Sequence, residues 1–104
     1  MAAHEAAHDQ RFPARFHAWC CAHIAPNTDR ETTERLITEH EEEFEFVGVH
    51  EEEDQFAFLY ARALMPEMGD EEYLETMDTI MAPAPLAARL ERLRAIAEEF
   101  GHGG

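Results

Sequence analysis

This chain of 104 residues carries 23 acidic and eight basic residues, a formal charge of -15. Such a surface attracts basic partners and repels nucleic acid and anionic membrane. All eight basic residues are Arg and there is no Ser, which excludes a serine nucleophile, a Schiff-base lysine and a phosphate-loop lysine.

In chain order, residues 1–10 are rich in Ala and His and are expected to form a mobile or helical extension. Pro13 suits the first turn of a helix. Phe12, Phe16, Trp19, Cys20, His23 and Ile24 then follow at spacings of three and four and predict an aromatic helix face, which Pro26-Asn27 ends. The adjacent Cys20 and Cys21 point about 100° apart on a helix, so they suit two small thiols in a reducing compartment and not a disulfide.

Thr28 and Glu31 have capping-box spacing. The helix they start is expected to present Thr33, Leu36, Ile37, His40, Phe44 and Val47 on one face and to stop at Gly48, with Val49 making the hydrophobic contact after it. Glu51, Glu52, Glu53 and Asp54 place negative charge at the next helix start. Its apolar face is read as Phe56, Leu59, Tyr60, Ala63 and Leu64, with Pro66 as its end. Asp70 is read as the cap of a short helix with Tyr73, Leu74, Met77, Ile80 and Met81 inward. The segment Ala82-Pro83-Ala84-Pro85 breaks the chain. A last helix carries Leu86, Leu90, Leu93, Ala97 and Phe100 on one stripe, and Gly101 is its stop. Residues 101–104 are expected to be a mobile tail.

No segment alternates with period two over a useful length. The fold class is therefore all-α, a compact bundle of about five short helices in a single domain spanning 1–104. Hydrophobic residues at 45% suffice for one core, so the charge does not imply disorder. No apolar run approaches the roughly 20 residues that span a bilayer. The N-terminus lacks the positive start and apolar stretch of a secretory signal, and a cytoplasmic location is expected.

Two constellations concern metals. His4-Glu5-Ala6-Ala7-His8 matches H-E-x-x-H, which on a helix sets two imidazoles on one face for zinc. The extended form of that motif wants Gly at 11 and a ligand at 14, where this chain has Arg11 and Ala14. His4 and His8 are thus weak candidates for adventitious binding. Di-iron bundles need Glu-x-x-His on two helices, and only Glu5 and His8 supply that spacing. No catalytic set is complete, so no enzymatic activity and no cofactor are expected.

The charge is concentrated: residues 29–54 hold twelve acids against Arg30 and Arg35. A solvated helix face is the ordinary explanation, and a halophilic habit would serve solubility in the same way. The cost of like charges so close also suits a surface kept for a basic partner. Residues two apart on a helix point to different sides, so Phe44, Phe46, Phe56 and Phe58 cannot all face inward. Phe46 and Phe58 are read as the exposed pair. The expected partner-binding surface is Glu42, Glu43, Glu45, Glu52 and Glu53 as a charged rim, with Phe46 or Phe58 as the aromatic centre.

The second half has a further cadence. Gly48-Val49 precedes the acidic start 51–54 and the aromatic helix 56–65. A turn at 66–70, a short helix at 73–81, the Pro break at 83–85 and Arg89-Leu90-Glu91-Arg92-Leu93 follow. Over about residues 46–97 this resembles small helical accessory proteins encoded in bacterial type VI secretion effector loci. It departs from them after the turn, where Gly69-Asp70-Glu71-Glu72 replaces their aromatic-rich Asp-Pro segment. The resemblance implies an adaptor, co-chaperone or immunity protein for a secreted toxin. The leading expectation is a non-catalytic protein-binding module for a basic protein surface. Two alternatives stay open: a DNA-mimic inhibitor of a nuclease or defence complex, and a metal-binding helical protein.

Overall fold

The computed structural model describes the backbone of residues 2–103 and the side chains of residues 11–100. His4 and His8, expected as weak ligands, lie outside the described side chains, whereas the backbone of 2–10 is helical and the last helix runs past Gly101 to Gly103, so that glycine is not its stop. The fold is all-α, and the described residues form six helices: α1 Ala2–His23, α2 Arg30–His40, α3 Glu43–Val47, α4 Glu52–Leu64, α5 Asp70–Met81 and α6 Leu86–Gly103. There is no strand among the described residues. Contacts divide the chain into two compact units, Met1–Glu41 and Glu42–Gly104.

In the first unit α1 packs against α2. Pro13 lies inside α1 and not in its first turn. The Ala-rich stretch before it has the highest helix propensity and extends the helix past the one rung that proline removes. Phe16 and Cys20 are buried on the inner face, as are Thr33 and Ile37 of α2. Trp19 is only half-buried, stacked on Phe16 with ring centroids 6.0 Å apart. The N-cap of α2 is Asp29 and not Thr28. Its carboxylate accepts from the Thr32 N–H at 3.2 Å and from the Thr32 hydroxyl at 3.1 Å. A carboxylate at the positive helix end is the stronger cap. Thr28 instead turns its hydroxyl back to the Ala25 carbonyl at 2.6 Å, and its own carbonyl accepts from the His17 ring at 3.0 Å.

The helix expected to run from the Thr28 cap to Val47 is two helices. Its ladder lapses at Glu41 and Glu42, although both keep right-handed backbone angles. The negative end of α2 meets an acid run there, with no Lys or Arg in the last turn of the helix to offset it. Gly48 stops α3 as expected, at φ 82°. The Val49 N–H reaches back to the Phe44 carbonyl at 3.0 Å, and Val49 is buried beyond the stop.

In the second unit α4 packs against both α5 and α6, which also pack on each other. This central position explains why every residue from Phe56 to Ala61 is buried. A helix covered on one side would bury only a stripe, and Phe58 would face solvent. Here Phe58 is fully buried, contrary to the sequence expectation. Ile80, Leu90, Leu93 and Ile96 complete this core. The N-cap of α5 is Gly69 and not Asp70. The Glu72 carboxylate accepts from the Gly69 N–H at 3.0 Å. Leu74 and Met81, expected inward, are 68% and 53% exposed. Ile80 is buried as expected, but Thr76 takes the inward place beside it, because packing on α4 and α6 turns that side of α5 inward.

Candidate functional site

The acidic region of the second unit sorts into acids bound internally and acids that face out. Glu43 opens α3 and accepts from the Arg62 guanidinium at 2.5 Å. That guanidinium lies 5.7 Å from the Phe58 ring centroid and 5.8 Å from that of Tyr73. Its buried Nε has no hydrogen-bond partner. The aromatic faces take part of the role that hydrogen bonds would otherwise play for a delocalised cation. Burial pushes the Tyr73 phenol above its usual range, the negative Glu43 adds to this, and Arg62 opposes it. Tyr73 is therefore neutral at physiological pH.

Glu53 and Asp54 meet a second arginine. Arg89 is 9% exposed. Its Nη2 donates to Glu53 at 2.6 Å and its Nη1 to Asp54 at 3.1 Å. Nη1 also donates to the Ile80 carbonyl at 3.0 Å, and Nε to the Ala84 carbonyl at 2.9 Å. One side chain thus joins the start of α4, the end of α5 and the turn before α6. The carbonyls it reaches lie at a helix C-terminus and in a proline-rich turn, where the backbone has no partners of its own. In the sequence Arg89 stands only as one arginine of an Arg-Leu cadence, and pairing it with an acidic helix start about 35 positions away needs the fold.

Of the expected solvent-facing rim, Glu43 is half-buried on Arg62, whereas Glu53 stays exposed as expected while pairing with Arg89. This also accounts for much of the tolerated charge density. Glu52 is half-buried in the first turn of α4. What remains together and outward is on α3. Glu42, Glu45 and Phe46 are exposed, and Phe46 is 89% so. The helix orientation is set by Phe44, whose ring meets Phe58 edge-on at 6.1 Å, and by Glu43 on Arg62. Phe46, two residues beyond Phe44, must then point away from the core. Glu42 lies one turn before Phe46 on the same side. The candidate surface is thus an aromatic side chain in water with a carboxylate next to it in sequence and another one turn away.

The described residues hold no group of three or more His, Cys, Asp or Glu placed for a metal ion. Cys20 is buried, and its burial, with Cys21 beside it, pushes the thiol up to about 12. It is a thiol and not a thiolate at neutral pH, and so a poor nucleophile. No described helix is long and apolar enough to cross a membrane. No protein-family model matches this chain, and neither does any curated protein or solved structure.

Proposed function

We propose that this chain is a non-catalytic protein-binding module whose α3 surface receives a basic protein. The observation that carries this reading is Phe46, 89% exposed in a chain of net charge -15 and flanked by the outward carboxylates Glu42 and Glu45. Burying a phenylalanine against a partner contributes roughly 1.5–3 kcal/mol. The surrounding carboxylates would steer a basic surface onto it and reject acidic ones. Three of the region's acids hold Arg62 and Arg89, so the partner-facing set is narrower than the acid count suggests: Glu42, Glu45 and Phe46, with Glu52 at the margin. The resemblance to accessory proteins of type VI secretion loci supports a concrete form of this role, loading or neutralising a secreted effector from a cytoplasmic position. An adaptor would hold both effector and delivery machinery, whereas an immunity protein would hold the effector alone.

The test is capture from the native host with the immobilised chain and, in parallel, its Phe46→Ser and Glu42→Arg/Glu45→Arg variants. A specific basic protein retained by the parent and lost by both variants is the expected result. Equal retention by all three would remove α3 as the binding surface.

A further inference from the structure

A second outward face lies on α5, distinct from the α3 surface. Leu74, Met77 and Met81 recur at i, i+3 and i+7, the spacing of a seam that packs on another helix. Leu74 is 68% exposed, Met81 is 53% exposed and Met77 lies at the boundary. Leucine and methionine in water at this spacing leave a contiguous apolar strip, and methionine adapts readily to a partner's shape. The interior side of α5 is already satisfied by Thr76 and Ile80, so the strip is not a misplaced core.

The charge around the strip selects its occupant. α5 holds five acids and no basic residue. Asp78 sits one turn from both Leu74 and Met81. It also lines a groove of about 380 Å³ between α5 and α6, whose lining includes Ala82, Ala84 and Ala88. The two cations lining that groove, Arg89 and Arg92, are held by Glu53 and Asp54 and by Glu75 respectively. Asp78 has no ion pair among the described residues. A second copy of this chain would set five acids against five acids, so self-pairing is opposed. We propose that the α5 face docks a basic amphipathic helix of another protein. Its apolar stripe would cover Leu74, Met77 and Met81, and a Lys or Arg would reach Asp78 at the mouth of the groove. The mode is helix-in-groove recognition with a charged border.

The test uses a fluorescent synthetic helix of roughly 18 residues, with Leu at seam positions and Lys and Arg on its flanks. Two control peptides carry the same composition with the periodicity scrambled, and Glu in place of the basic residues. Anisotropy titration of the intact chain should give saturable binding to the first peptide only, with amide shift changes centred on 70–81. Leu74→Ser/Met81→Ser should weaken it about tenfold or more, about 1.4 kcal/mol. Asp78→Arg, a surface change that leaves the strip intact, should weaken it too. Phe46→Ser should leave it unchanged, which separates this face from α3. The proposal is overturned by equal binding of the scrambled peptide, by no saturable binding, or by indifference to the α5 variants. It is also overturned if the free chain is a dimer that Leu74→Ser/Met81→Ser dissociates, since a second copy would then be the occupant.

Discussion

Replacing Arg89 with Met keeps most of the side-chain volume and removes the guanidinium. It leaves the Ile80 and Ala84 carbonyls and the largely buried Asp54 without their donor, while Glu53, about half exposed, is rescued by water. Breaking a buried pair from one side costs about 3–5 kcal/mol, and the exposed half of this one adds little. Taking about 3 kcal/mol, the thermal midpoint of a unit this size should fall by roughly 12–24 °C. Urea denaturation followed by circular dichroism measures the free energy directly. A double cycle with Asp54→Asn should return a coupling of about 1 kcal/mol or more, because the two changes remove one shared contact. An Arg89→Met variant within about 0.5 kcal/mol of the parent would mean that the three-way junction is not held by this side chain.

Phe58→Ala should destabilise the fold by about 3–5 kcal/mol through a cavity in α4, and a stable variant with altered binding would restore Phe58 to the surface. Gly48→Ala should cost about 1–2 kcal/mol, because φ is 82° while a Cβ there meets nothing within 4 Å, so the loss is backbone strain and no clash. At mildly alkaline pH a thiol reagent should modify the half-exposed Cys21 well before Cys20, as mass spectrometry of the peptides will record. The folded Cys20 keeps its proton until about 12 against an ordinary 9.0, so the unfolded chain binds fewer protons in that window. The Cys20 contribution to stability should therefore fall as pH rises from 9.0 towards 12, and a Cys20→Ala variant should lack this component of the slope.

Local signals located most of the helices. Gly48, Pro66 and the 83–85 prolines end elements where expected, and the acids at 52–54 open α4. These depend on a few neighbouring residues, which is why they can be read from sequence. The outward direction of Phe46 was legible for the same reason, since it follows from its two-residue offset from Phe44. Phe58, Leu74 and Met81 were misplaced because periodicity says that a helix has sides without saying how many are covered. α4 is covered on two sides and α5 on the side away from its apolar strip. The pairing of Arg62 and Arg89 with Glu43, Glu53 and Asp54 joins distant positions, and only packing reveals that these acids are spoken for. Nothing in the sequence marks the break at Glu41–Glu42, because the apolar pattern continues across it to Phe44 and Val47.

The central claim, that α3 is a steered protein-binding surface with Phe46 at its centre, is tested most directly by association kinetics with the captured partner across a range of salt concentrations. The parent should associate faster as salt falls. Glu42→Arg/Glu45→Arg should slow association and flatten its salt dependence, while Phe46→Ala should leave the association rate nearly unchanged and speed dissociation about tenfold or more. An association rate that is the same for the parent and the charge-reversed variant at every salt concentration would contradict the account, leaving the exposed carboxylates of α3 as a solvated helix face.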